Sequence, residues 1–202
     1  VAVINQQSND LGAEIRYENT GGVRGRSNRF TLGVQPTHES MHNRQFVNTA
    51  GQHGALTKDQ DDHAGGVAVY AENALAISNR VTLVTGLRWD RQTRRTEDHF
   101  LSNGDQSDSK VFEAVLPRLG LLYDVNGKGN QLFANVTRSF EPPLLLELNS
   151  LQVPGYVKLK AQDAWQYEVG TRGHAKSWVW DVSMYDIELT HEGHVMLDHH
   201  HG

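Results

Sequence analysis

Histidine is the residue type here with the most obvious chemistry. The chain holds 11 histidines, and His191, His194, His199, His200 and His201 crowd its end. Imidazoles at H-x-x-H and H-H-H spacing can bind transition metals. No carboxylate or thiolate constellation completes a defined site around them, and the chain has no cysteine. The metal site is therefore kept only as an alternative. Residues 192–202 read as a His-rich irregular tail or a truncated loop, with its histidines a compositional accident or an artefact of truncation. His38 and His42 bracket the start of a polar stretch and read as solvated loop residues.

Catalytic patterns are missing. There is no G-x-S-x-G, no H-E-x-x-H and no glycine-rich phosphate loop between a strand and a helix. Without cysteine there is neither a thiolate nucleophile nor a disulfide. The chain reads as no enzyme, and no cofactor is expected. The formal charge is -5 with scattered Lys and Arg, which gives no footprint for nucleic acid. No apolar run approaches the roughly 18 residues of a membrane helix. The opening V-A-V-I-N-Q-Q-S is no signal peptide, so the chain is expected to begin inside a larger protein.

The elements that would position any site are strands. Trp165, Tyr167, Val169 and Thr171 alternate with Gln166, Glu168, Gly170 and Arg172. After a polar break from Gly173 to Ser177, Trp178, Trp180, Val182 and Met184 alternate with Val179, Asp181 and Ser183. Period two sends one set to each face of a sheet. The same signal predicts a first strand at Leu11–Glu18, then strands beginning near Phe30, over Gly66–Ile77 and Val81–Asp90, over Val111–Val125, and from Leu132. Pro36 should mark a bulge or an edge. Asn19–Asn28, Ser78–Arg80 and Asn126–Asn130 read as turns. Arg44–His63, Arg91–Lys110 and Glu141–Lys160 read as long polar loops, the last with a short helix at Leu144–Leu148.

Short and long connections thus alternate between about eight long strands. That is the grammar of an outer-membrane barrel, whose strands need about 9–11 residues and whose longer loops lie outside the cell. The fold class expected is all-β, an antiparallel up-and-down meander. The turns at Ser78–Arg80, Asn126–Asn130 and Gly173–Ser177 should sit at one end. Those around Gln52, Asn103 and Ser150 should sit at the other. On the polar face Arg88, Arg118 and Arg172 accompany Asp90, Asp124 and Glu168. On the apolar face Trp89, Tyr123, Trp165 and Trp178 stand where aromatic girdles would. A self-contained eight-stranded barrel with a structural or adhesive role stays open, and only sequence outside this stretch separates it from a slice of a larger barrel. A soluble β-sandwich binding module has no physical reason to put every long loop at one end.

Several stretches, in order, carry a resemblance. They are V-Y-A-E-N from Val69, L-A-I-S-N-R-V-T-L-V-T-G-L-R-W-D to Asp90 and L-P-R-L-G-L-L-Y-D from Leu116. L-F-A-N-V-T-R-S-F-E-P-P from Leu132, L-K-A-Q-D-A-W-Q-Y-E-V-G-T-R-G from Leu159 and W-D-V-S-M-Y-D-I-E-L from Trp180 complete the set. Together they resemble the barrel of TonB-dependent outer-membrane receptors of the ferric-citrate and siderophore type. The resemblance implies a 22-stranded barrel around a plug, in the outer membrane of a Gram-negative bacterium. It implies a ferric siderophore or other metal chelate as ligand, TonB as partner through the plug, and outer-membrane lipid around the wall. Residues 1–191 would be an open slice of that barrel, the plug domain absent and the slice not transport-competent alone. Binding would fall to loop residues, with Arg94, Arg95, His99, Phe100, Tyr156 and Lys158 as candidates. Gly86, Gly120 and Gly170, on the polar face, would either let a plug approach closely or serve sheet curvature. The sheet should stay open with two unpaired edges, aggregate without detergent, and form no discrete pore alone.

Overall fold

The computed structural model describes residues 2–144 and 161–189. They form β1 (Ala2–Gly12), β2 (Ile15–Val23), β3 (Arg26–Thr49), β4 (Gln52–Ala76), β5 (Val81–Asp98), β6 (Asp108–Asp124), β7 (Gln131–Glu141), β8 (Gln162–Ala175) and β9 (Trp178–Leu189), with one 3-10 turn at Leu101–Asn103. All pairings are antiparallel, and the lateral order follows the chain from β3 to β9. Both β1 and β2 lie along β3, so the nine strands occupy eight rows. Among the described residues, no pairing joins the β1/β2 edge to β9. The sheet is open, as the sequence led us to expect.

The expected first strand, Leu11–Glu18, is cut by a break at Ala13–Glu14. Pro36 supplies the reason. Its carbonyl accepts from Ala13 N at 3.1 Å, so its nitrogen, which has no hydrogen, points to the same side. The β1/β2 row can do without that bond only by interrupting itself. Toward β4 the ladder passes Pro36 without a gap, with Val67 opposite.

The largest correction concerns Arg44–His63. It is no loop: β3 has 24 residues, β4 has 25, and a two-residue turn at Ala50–Gly51 joins them. Both turn residues have positive φ, 52° and 85°, which matches the twist of a hairpin. Asn48 Oδ1 accepts from Gly51 N at 2.7 Å. His38 and His42 are accordingly strand residues. The alternation rule failed because both faces of this stretch are polar, whereas the backbone ladder continues regardless. For the same reason the Arg91–Lys110 loop contracts to residues 99–107, and the Asn19–Asn28 turn contracts to Arg24–Gly25. The helix expected at Leu144–Leu148 and the loop around Ser150 lie outside the described residues.

Connection lengths therefore do not simply alternate, but the ends do. The turns at Arg24–Gly25, Ser78–Arg80, Asn126–Asn130 and Lys176–Ser177 share one end. The Ala50–Gly51 turn, the 99–107 loop and the exit of β7 share the other.

Cross-strand register fixes two faces. One row of the outer face reads Phe30, Asn73, Thr85, Leu119, Val136 and Tyr167. The next reads Leu75, Leu83, Leu121, Ala134, Val169 and Met184. Leu119 is 52% exposed and Met184 75%. Along β5 the apolar outer stretch from Val81 to Trp89 covers roughly 27 Å at about 3.4 Å per residue. Tyr123 pairs with Val81 at the short-turn limit, and Trp178 lies beside that same end. Past Trp89 the outer face turns charged: Arg91 faces Glu113 at 3.5 Å and Arg95 meets Glu97 at 2.9 Å.

Candidate functional site: the inner wall

The inner face carries most of the sheet's polar side chains below Trp89, joined in several hydrogen-bonded groups. Arg88 makes a fork on Asp90, with Nε to Oδ2 at 2.8 Å and Nη2 to Oδ1 at 3.0 Å. Its Nη1 reaches Gln35 Oε1 at 2.6 Å. Tyr70 donates to Glu14, and Arg118 to Glu72 at 3.0 Å. Arg172 donates to Gln131 at 2.9 Å and lies over the Phe133 ring, while Asn135 donates to Glu168 at 3.3 Å. Asp124, grouped by sequence with the arginines, instead accepts the backbone N–H groups of Asn126, Gly127 and Gly129 and shapes the turn. Between Tyr70, Glu72, Arg88, Asp90 and Arg118 lies a concavity of about 500 Å³.

The inward glycines are notches filled by the sheet itself. A Cβ on Gly33 would collide with the Tyr70 ring, and one on Gly170 with the Phe133 ring. A Cβ on Gly120 would fall 2.7 Å from Asn135 Oδ1. Side chains of the neighbouring strand occupy the space over these positions.

Above the apolar band the inner wall becomes buried. Asp62 is 0% exposed, and Thr96, Asn43, Gln60 and Arg94 are buried beside it along with Met41 and Phe112. Register places them as neighbours: Met41 opposite Asp62 and Asp62 opposite Thr96, then Asn43 opposite Gln60. Thr96 Oγ1 donates to Asp62 Oδ1 at 2.5 Å and Gln60 Nε2 to Oδ2 at 2.7 Å. Among the described residues, none donates a hydrogen bond to Asn43 Oδ1. A buried amide oxygen in that state is costly, on the order of 1–3 kcal/mol.

The sequence candidates divide between the two faces. Arg94 faces inward; its Nε donates to Pro143 O at 2.9 Å and its Nη1 to Thr93 O at 3.1 Å. Arg95 belongs to the outer face and pairs with Glu97. His99 meets Asp61, an outer-face residue of β4, with Nε2 to Oδ2 at 2.9 Å. Phe100 is fixed by its backbone N–H on Asp98 Oδ1 at 2.9 Å. Tyr156, Lys158 and the histidines from His191 onward lie outside the described residues. Sequence reading passed over Asn43, Gln60, Asp62, Thr96 and Phe112. The signal for Thr96 was present, because Gly86, Arg88, Asp90, Gln92, Arg94 and Thr96 form one unbroken i, i+2 series.

A two-faced antiparallel sheet of this kind has close counterparts. The family described as TonB dependent receptor-like, beta-barrel, matches residues 3–192. The chain belongs to that family. Its barrels are receptors and transporters rather than enzymes, and they reside in the outer membrane of Gram-negative bacteria. The unliganded ferric citrate transporter FecA superposes with a TM-score of 0.78 at 18% identity, over 93% of this chain and 28% of that one. The siderophore receptor PiuA from Acinetobacter baumannii gives 0.68 at 12% identity, over 84% and 29%. The alcaligin receptor FauA from Bordetella pertussis gives 0.69 at 14%, over 93% and 30%. The chain spans less than a third of the length of these structures.

Proposed function

We propose that this chain is part of an outer-membrane receptor barrel for TonB-dependent uptake of a ferric siderophore or similar metal chelate. The observation that carries the reading is the inner wall above the apolar band, where buried polar side chains surround an inward Arg94. The apolar band would face outer-membrane lipid, and the wall above it would stand outside the cell. A guanidinium held on a rigid ladder suits the carboxylate or catecholate oxygens of a chelate, because charge-assisted bonds are the strong ones. Asn43 Oδ1 adds an acceptor for a donor on the ligand. Phe100, His99 and Arg95, with Tyr156 and Lys158, remain rim candidates. Coupling to TonB would run through a plug domain, which the nine strands do not include, so the strands alone would not transport. Residues 1–191 would be barrel and 192–202 a tail.

The test is binding of a panel of ferric chelates to a receptor barrel containing this chain, followed by tryptophan fluorescence. Arg94→Ala should weaken an anionic ferric chelate about 10-fold or more, the loss expected for a charged hydrogen bond. Arg91→Ala, on the outer face opposite Glu113, should leave it unchanged. A parent barrel that binds no ferric chelate, or an Arg94→Ala variant that binds like the parent, contradicts the reading.

A further inference from the structure

The outer face of the β3–β4 hairpin carries a cluster that ligand capture on the inner wall does not use. Asp61 stands at its centre. Its Oδ1 lies 2.5 Å from His42 Nδ1 on β3, and its Oδ2 lies 2.9 Å from His99 Nε2 just past β5. Arg44 Nε donates to His42 Nε2 at 2.8 Å, which leaves Nδ1 as the His42 donor. Asp59 closes the group at 3.4 Å from His42 and 3.6 Å from Arg44. From β5, Glu97 and Arg95 face the cluster as a mutual pair at 2.9 Å, and His63 lies two residues beyond Asp61 on the same face of β4. One carboxylate thus joins three segments of chain.

His99 is also the first residue of the 99–107 loop. The loop is gathered on the last residue of β5: Asp98 accepts from Phe100 N and from Gln106 N, and Asp98 N donates to Ser107 Oγ at 3.0 Å. Gly104 N donates to Leu101 O across the 3-10 turn. These bonds hold the loop compact at the strand end. Among the described bonds, the His99 side chain on Asp61 and the His99 backbone N–H on Asp59 O, at 2.8 Å, tie the loop to β4.

We propose that His42, Asp61 and His99 form a pH-sensitive clasp that fastens the 99–107 loop to the β3–β4 hairpin. The hydrogen bond to Asp61 raises the pKa of His99 above the ordinary imidazole range; slight burial opposes this, and the charges of Asp61, Asp59 and Glu97 add to it. Burial resists ionisation of Asp61, but the bonds from His42 and His99 outweigh it and hold its pKa below the usual carboxylate value. The signs define a window. A raised His99 contributes its stabilisation at low pH and loses it as pH climbs through its own raised pKa. A lowered Asp61 contributes above its unfolded pKa and loses that contribution only in strong acid. The loop is fastened below the raised His99 pKa and released as pH climbs through it.

The absence of cysteine makes the test direct, since one introduced thiol is unique. A nitroxide label on Ser102→Cys, in the exposed 3-10 turn, reports loop mobility in the full chain held in detergent micelles. A label on Thr85→Cys, mid-strand, reports the sheet. From about pH 5.5 to about pH 9 the Ser102 label should pass from slow to fast motion, with a midpoint above the ordinary histidine value of about 6.5, while the Thr85 label stays slow. Asp61→Asn should leave the loop fast at every pH, and His99→Gln should abolish the step. His42→Gln supplies a second variant: it removes a donor that competes for the same carboxylate and should raise the midpoint. A pH-independent parent loop, a step that survives His99→Gln, or a Thr85 label that moves with the loop would overturn the proposal.

Discussion

The lower and upper halves of this sheet share one backbone ladder and one alternation, yet they are built for different surroundings. Below Trp89 the outer face is Leu, Val, Tyr and Met, exposed in the isolated sheet. Above it the outer face is Arg91 with Glu113, Arg95 with Glu97 and the group around Asp61. The inner face inverts the contrast. Below, it carries hydrogen-bonded groups over filled glycine notches; above, it is buried around Asp62. The change falls within two residues on β5. β3 and β4 are therefore specified by what each face meets at each height, and at 24 and 25 residues they exceed what a lipid layer requires.

The largest effect expected from breaking this contrast is on the outer face. Leu119→Arg, mid-band, should destabilise the sheet by about 2–4 kcal/mol in lipid, the cost of an arginine near the bilayer centre. Thr93→Arg, on the outer face of the upper half, should stay within about 0.5 kcal/mol, as an ordinary surface change does. Urea unfolding in a lipid environment compares the two. Equal costs would erase the boundary at Trp89.

A smaller difference is expected at the glycines. In Gly170→Ala the new methyl would meet the Phe133 ring and lie 2.6 Å from the backbone oxygen of Val182, which cannot move aside. A loss of about 1–3 kcal/mol follows from overpacking. Gly66→Ala, in the upper half, meets only the end of Gln92, a flexible side chain, and should cost about 0.5 kcal/mol or less. Equilibrium unfolding of the two variants gives the ranking, and a reversed order would sink the notch account.

The smallest effect is at the tip of the upper hairpin. Ala50 holds φ at 52°, where a Cβ is unwelcome. Ala50→Asn should stabilise by about 0.5 kcal/mol, since asparagine tolerates that region. A melting temperature that falls instead would mean that the turn is not set by Ala50–Gly51.

These contrasts also explain what the sequence disclosed. Leu83, Leu87 and Trp89 announced β5 because their neighbours Val84, Gly86 and Arg88 face a different medium, although Val84 blurs the pattern. His42, Arg44, Asp59 and Asp61 announced nothing, because polar residues on both faces carry no period. Their strands exist through ladder continuity from Pro36 and Val67 upward, a cue that lies in the pairing and not in composition. Arg94 was picked for its type and charge; its inward direction follows from its parity with Arg88 and Asp90. The bond between His99 and Asp61 joins residues 38 positions apart, and only the register brings them together.

The central claim is that one face of this sheet meets lipid over a limited height. Its most direct test is a scan of single spin labels along β5, from Val81 to Asp98, in lipid bicelles, read by collisions with oxygen and with a water-soluble nickel complex. Oxygen contact should peak at Val81, Leu83, Thr85, Leu87 and Trp89, with period two, and should give way to nickel contact from Arg91 outward. Nickel contact at Leu83 and Leu87 equal to that at Arg91 and Arg95 would contradict the account.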